Sequence, residues 1–394
     1  MALLSCNPNR RRAGRALVCG VMASALLSAQ EGIAEEQDEQ KRADGLRFTP
    51  FAAPAKTPEL GFLFANSAFY AMLNAINRQG LNAWATALAA GLNIALNLVL
   101  IPLFGYSTTG ALVVGSSGTL YFTGDRIRMG FSGWYNSAPL DYFGVGFEAG
   151  ATTPRGPETT RYDQVAWNIS PDVHFRTWSA LFAGAAADVS DTVATELNPR
   201  MQQDPHVLRV GTRVLNVGLG PLLEWDTRDV AGDARTGVYL GGRLLFYPRF
   251  LGSTVGWALL KAEYKQFLPL GPGQTLGWWL WLSWGLWDAP WTHLPSVSTL
   301  RGYREGQFRD RVVVAGQIEY RLRFLKGDGT ISRHGMVFFA GAASIGSSMA
   351  RLESALPNAG LGYRFELQPR LNIRADVGLG RDSYGVYISA NEAF

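Results

Sequence analysis

Cysteine is almost missing from this chain: its 394 residues hold two, Cys6 and Cys19, both before Ala29. Past that point a disulfide framework, a thiolate metal site and a cysteine nucleophile are all excluded. Charge is scarce as well, with Asp, Glu, Lys and Arg at 17% of residues against roughly 25% in soluble globular domains. Histidine occurs four times, as His174, His206, His293 and His334. None lies in an H-E-x-x-H run or a close His/carboxylate cluster, so a zinc site has no local support. No G-x-S-x-G elbow occurs either, since "GSSG" at Gly115 to Gly118 has the wrong spacing. The expectation is a chain that is not an enzyme and carries no cofactor and no metal.

The sequence pI of about 9.1 points at first to an acidic partner, but the excess charge is local. Arg10, Arg11, Arg12 and Arg15 lie within Met1 to Ala29, which has no acid, and the apolar run "ALVCGVMASALLSA" follows. That is the layout of a secretory signal peptide. Without those four arginines the two signs balance at 32 each, so neither nucleic acid nor nucleotide is an expected partner. Residues 30–58, charged first and Pro/Ala-rich later, read as a flexible periplasmic linker. The remaining chain, 59–394, is expected to form one domain.

What that domain does have is alternation. In "RVVVAGQIEYRLR", Val312, Val314, Ile318, Tyr320 and Leu322 share one face, and Arg311, Gln317, Glu319, Arg321 and Arg323 the other. "RLNIRADVGLG" sets Leu371, Ile373, Val377 and Leu379 against Arg370, Asn372, Arg374 and Asp376, and "WALLKAEYKQF" sets Lys261, Glu263 and Lys265 against Leu260, Ala262 and Tyr264. Period two is the strand period. A β-sandwich with one wet face alternates too. Three features favour a membrane barrel instead: the export leader, strands of about 10 to 15 residues where sandwich strands stop near 6, and aromatics at strand ends (Trp225, Tyr247, Phe250, Trp287, Phe394). Lipid admits a closed barrel, which satisfies its own backbone groups, and excludes an open sheet. The tryptophans at 278, 279, 281, 284 and 287 then serve as lipid contacts, lumen filling and interface girdle. Counting strands back from Phe394, the outward gaps 288–310, 195–212 and 137–159 are long. The inward ones at 271–273, about 177 and 368–369 are short, while 228–235 and 326–334 are intermediate.

Several stretches carry a family resemblance. "LRGYREGQFRD" resembles the loop motif of the BamA/TamA family of outer-membrane barrels, the bacterial surface antigens. "GLGPLLEWDTRD" followed by "RTGVYL" resembles that family's strand–turn–strand unit, and "GLGYRFELQPRLNIRADVGLGRDSYGVYISANEAF" its last three strands. The resemblance covers 213–394 well and 107–194 loosely. It implies an all-β fold, a transmembrane antiparallel barrel of about sixteen strands. Five of these follow the motif loop, here at 311–325, 335–347, 359–367, 370–380 and 384–394. The extracellular loop 288–310 is expected to tuck into the lumen. Its motif residues are Arg301, Gly302, Tyr303 and Arg304, and the resemblance implies that Arg301 meets an inner-wall acid. Asp376 and Glu319 are the inward-phased candidates, Asp376 the favoured one, because a bidentate carboxylate pair is compact and directional. Tyr387 and Phe394 would belong to the C-terminal strand signal, near the seam between first and last strands.

The cluster Asp226, Arg228, Asp229 has two readings, a clamp that orders the periplasmic rim or plain turn chemistry with Asp capping backbone amides. Two stretches depart from the family. Residues 30–58 leave no room for its client-binding POTRA modules, and Asn77 to Gly110, apolar and similar to a helix pair of polysaccharide flippases, is read as two strands of odd composition. The resemblance implies a monomeric barrel in the outer membrane of a Gram-negative bacterium, contacting outer-membrane lipid. Its work would be inserting or translocating client polypeptides, with the β-barrel assembly machinery as a further partner. The other reading is a passive pore or structural surface barrel plugged by the loop.

Overall fold

The computed structural model describes residues 56–57, 61–62, 101–106, 111–122 and 125–394. The expected leader, most of the linker and most of the stretch 77–110 lie outside the described residues; within that stretch Ile101–Tyr106 is a strand.

Among the described residues, thirteen long antiparallel strands form one sheet. They are β1 (Leu112–Phe122), β2 (Ile127–Asp141), β3 (Arg161–Trp178), β4 (Leu181–Thr195), β5 (Arg213–Asp226), β6 (Gly237–Tyr247), β7 (Trp257–Gly271), β8 (Gln274–Trp287), β9 (Val312–Leu325), β10 (Ile331–Gly346), β11 (Leu356–Gln368), β12 (Leu371–Gly380) and β13 (Ser383–Ala390). Each pairs with its neighbours in sequence, so every connection is a hairpin. Ile101–Tyr106 extends the sheet beyond β1, and Lys56–Thr57, paired with Gly61–Phe62, extends it beyond β13 through Lys56 opposite Val386. Among the described residues no helix is long and apolar enough to cross a membrane.

Turn chemistry fixes the register. At one end the hairpins other than 227–236 are short, and they place Asp125, Ser179, Gly273, Gly329 and Arg370 in the left-handed region that tight hairpins require. At the other end the connections 142–160, 196–212 and 288–311 are long and carry short helices, including α1 (Phe147–Thr152), α2 (Pro199–Gln203) and α3 (Pro205–Val210). The length asymmetry expected from the sequence is therefore present.

The burial pattern is inverted relative to a water-soluble sheet. In β9 the polar row Gln317, Glu319 and Arg321 is buried while Ile318 is 47% exposed; in β12 Asn372, Arg374 and Asp376 are buried while Leu379 is 57% exposed. The polar face is concave. Arg128 on β2 reaches Glu224 on β5 at 3.8 Å, and Arg370, between β11 and β12, reaches Asp229, between β5 and β6, at 2.7 Å. Side chains six strands apart meet only if the sheet curls strongly.

Three sequence expectations need correcting. The last strand stops at Ala390 rather than running to position 394, because Asn391 takes φ 63° and turns the chain inward. Phe394 consequently leaves the rim and packs on the concave face, its ring 6.1 Å from both Trp279 and Phe267. Tyr247 is likewise inward and buried, stacked 4.2 Å from Trp257, so it is no girdle residue; Phe250 and Trp287 are exposed.

Candidate functional site

The connection 288–311 does not stand off the sheet. It folds back along the concave face and fills it with Val297, Leu300, Tyr303 and Phe308, all buried among Val313, Ile345, Leu356 and Phe394. Burial of side chains such as Leu300 and Phe308 contributes about 1.5–3 kcal/mol each relative to exposure. Hydrogen bonds then tie this loop to the two other long connections and to β11. Trp291 Nε1 donates to Gly211 O at 2.9 Å, Gln307 Nε2 to Gly150 O at 3.3 Å, and Tyr303 Oη to Pro357 O at 2.6 Å.

Arg301 is the centre of the arrangement. It is 6% exposed, and its Nη1 donates to Asp376 Oδ2 at 2.7 Å while its Nη2 donates to both Glu319 and Gln317. The guanidinium lies 3.5 Å from the Phe339 ring centroid, a cation–π contact that compensates part of its desolvation. The structure thus brings Arg301 against both acids singled out in the sequence, Asp376 and Glu319.

The network continues past the residues that sequence reasoning picked. Asp376 also accepts from Arg364 Nη1 at 2.5 Å and Arg374 Nη1 at 3.2 Å, so one carboxylate receives three guanidiniums. Arg321 Nε donates to Glu319 Oε2 at 3.0 Å, and Arg364 Nε to Glu392 Oε2 at 2.7 Å. A chain of alternating charges, Arg321–Glu319–Arg301–Asp376–Arg364–Glu392, therefore runs along the concave face. Buried charges persist only when paired and hydrogen-bonded in this way. Period-two phasing places Gln317, Arg321 and Arg374 on the correct face; it gives no sign of Arg364, Glu392 or Phe339.

The other motif residues hold the loop backbone. Gly302 N donates to Tyr387 Oη at 2.8 Å, Ser383 Oγ donates to Gly302 O at 2.6 Å, and Asn358 Nδ2 donates to Arg301 O at 2.9 Å. Gly302 has φ 107°, and a Cβ there would sit 2.6 Å from the backbone of Leu379 and Gly380. Only glycine fits this contact. The side chain of Arg304 is half-buried and bonds to no described residue, while Glu305 is exposed.

At the short-turn end, Arg228 Nε donates to Asp226 Oδ1 at 2.9 Å, and Asp229 accepts from the backbone N–H groups of Arg235 and Thr236 and from Arg370 at 2.7 Å. Both readings of this cluster are present in the geometry: local turn caps, and one tie to a distant turn. Burial raises the Asp229 carboxyl, but those donors outweigh it and hold the group below its ordinary 3.8. Asp233 in the same turn shifts the other way: burial pushes it up, Arg235 opposes, and Glu392 adds to the push.

A second anchor, unpredicted from sequence, is His293 in the loop. Trp257 Nε1 donates to Asn216 Oδ1 at 2.9 Å, which turns Asn216 Nδ2 toward His293 Nδ1 at 3.3 Å. Nδ1 must then accept, leaving the ring proton on Nε2 to be donated to Ser190 Oγ at 3.2 Å. A serine nucleophile needs the reverse proton arrangement, so this contact is a pin. Burial pushes the His293 pKa down to about 4 from 6.5; Asp188 opposes this and Lys261 adds to it. A freed loop takes up a proton near pH 6.5 and the docked one only near 4, so docking weakens as pH falls between these values and is unaffected above them. Limited proteolysis of the loop should accelerate across that window, and a His293→Gln variant should lose the pH dependence. Among the described residues no group of His, Cys, Asp and Glu is arranged to hold a metal.

Two solved structures are similar in fold. One is BamA from Haemophilus ducreyi lacking POTRA domains 1–3, 11% identical, covering 73% of this chain and 62% of that one with a TM-score of 0.49. The other is CdiB from Acinetobacter baumannii, also 11% identical, covering 74% of this chain and 52% of that one with a TM-score of 0.43. The chain thus spans less than two thirds of either. No protein-family model matches the sequence, and no curated protein matches it.

Proposed function

We propose that this chain is a closed outer-membrane β-barrel of about sixteen strands, of the BamA/TamA type, that assists insertion or translocation of polypeptides. The single observation that carries the reading is the burial of Arg301, delivered by a connecting loop, against Asp376 and Glu319 on the inner wall. A loop locked into the interior leaves the wall, and above all its first/last-strand seam, as the working surface. An opened strand edge there templates an incoming hairpin by β-augmentation. The exposed apolar row, including Leu223, Leu240, Leu280, Ile318, Leu361 and Leu379, fits hydrocarbon and not water. Outer-membrane lipid is accordingly a partner, and the long connections face outward. The chemistry is non-covalent and needs no enzyme activity.

The pairing that carries the sheet beyond β13, a step toward closure, is testable where Lys56 lies opposite Val386. In a chain with Cys6 and Cys19 changed to Ser, Lys56→Cys with Val386→Cys should form a disulfide on mild oxidation, since directly opposed strand positions meet the Cα spacing a disulfide requires. A gel-mobility shift reads it, and a wholly reduced pair would sink this pairing of the N-terminal segment with β13. Cross-linking should also abolish client assembly if the seam works by opening.

The second reading, a plugged pore, draws on a different observation. The loop bonds to Gly150 and Gly211 in the two other long connections and to Pro357 on β11, so it is fastened at the same end by three separate segments, as a plug must be.

A further inference from the structure

Below the docked loop the concave face retains a cavity of about 290 Å³, bounded by β5, β6, β7 and β8 and lined by His174, Glu224, Tyr239, Arg243, Lys261 and Glu263 among others. Two of these are cations placed directly opposite each other: Lys261 on β7 is the register partner of Arg243 on β6. Like charges at opposed strand positions repel, and neither has an acid as its other cross-strand neighbour. Lys261 faces Ser283 on β8, and Arg243 faces Leu222 on β5.

The nearby carboxylates are already engaged. Glu224 accepts from Tyr239 Oη at 2.7 Å and pairs with His174 at 3.2 Å. Glu263 pairs with Lys265 at 3.0 Å and accepts from Trp279 Nε1 at 2.7 Å. Asp188 accepts from Asn168, Ser170 and Tyr247. Asp172 sits 2.6 Å from His174 and only 4.0 Å from Arg243. Lys261 has no ion pair with a described residue, and Arg243 has that one long contact alone. The cavity therefore presents two adjacent cations with nearly all their donor capacity free.

We propose that Arg243 and Lys261 form a binding site for a small oxyanion of the phosphate class, entering from water on the concave side. A tetrahedral oxyanion offers several acceptor oxygens, enough to take the guanidinium fork and the ammonium together. It also relieves their mutual repulsion, and the cavity has ample room for one such ion. The acceptor-rich surroundings of Glu224, Glu263 and Asp172 are held by their own donors, so the two cations are left to the ligand. A lipid headgroup is the other source of a phosphate, but the exposed apolar row lies on the opposite face of the same strands.

The test is calorimetric titration of the full chain in neutral detergent with inorganic phosphate at constant ionic strength. Saturable binding is expected, sulfate should compete, and Arg243→Gln with Lys261→Gln should weaken binding at least 10-fold. Lys326→Gln, in an exposed turn, should leave it unchanged. Lys261→Met supplies a readout independent of binding heat. By removing one of two opposed like charges it should raise the Tm in phosphate-free buffer while abolishing the phosphate-dependent Tm rise of the parent. Absence of saturable phosphate binding, or unaltered binding in the double variant, overturns the site. Binding that appears only in vesicles containing an anionic phospholipid, and not in neutral phosphatidylcholine vesicles, overturns the water-borne source.

Discussion

Asp376→Ala should be the most damaging single substitution in the chain, with a loss of about 3–5 kcal/mol, the range for removing one partner from a buried charge pair. The reason is the imbalance left behind. Asp376 is fully buried and receives Arg301, Arg364 and Arg374; without it Arg374 has no ion-pair partner among the described residues, and Arg301 and Arg364 keep one each, Glu319 and Glu392. Heat-modifiable mobility on a denaturing gel reads the folded fraction directly, and most of the variant should run as unfolded. Asp376→Asn should fall between, because the amide oxygen still accepts hydrogen bonds but carries no charge. Adding Arg374→Gln to Asp376→Asn should recover part of the loss, since Arg374 has the longest contact of the three at 3.2 Å. A folded fraction and Tm equal to the parent's would show that the carboxylate holds nothing.

Arg301→Ala is expected to act on the loop more than on the wall. The strands keep the Arg321–Glu319 and Arg364–Asp376 pairs, so the sheet should still form. The loop loses its three-acceptor anchor and the contact with Phe339. Protease cleavage within 288–310 should speed up at least 10-fold, and Arg301→Lys should resemble alanine, because a single ammonium cannot reproduce a fork that reaches Asp376, Glu319 and Gln317 together. The same variant separates the two functional readings. Large stable conductance in planar bilayers with intact client assembly identifies a plug; loss of client assembly at low conductance identifies a polypeptide-handling barrel. Parent behaviour in all three measurements would remove Arg301 from either mechanism.

Much of this was legible in the sequence because alternation carries phase. The expected strands 311–325 and 370–380 lie within one residue of Val312–Leu325 and Leu371–Gly380, and the phase alone put Arg301's two partners on the inner face. Where the phase carries no side chains, alternation is silent. Arg364 shares an inward row with Gly360 and Gly362 on β11, and two glycines conceal the alternation that would have exposed it. Nothing in "SANEAF" signals a break, so the sequence reads on as strand through Glu392 and Phe394. The left-handed turn at Asn391 is stabilised by bonds from remote segments, such as Glu392 N to Gly232 O at 3.0 Å. His293 was beyond reach for a similar reason: Ser190 and Asn216 lie 103 and 77 residues away in sequence.

Arg321 belongs to two fastenings at once. Its Nε and Nη2 face Glu319, which also receives the loop, while Nη2 and Nη1 donate to Phe394 O at 2.9 Å and Ala234 O at 3.2 Å, where turn and tail meet at the short-turn end. The tail is therefore held by the same guanidinium that shares the Glu319 carboxylate with the loop, so the two ends of this buried row are fastened through one side chain.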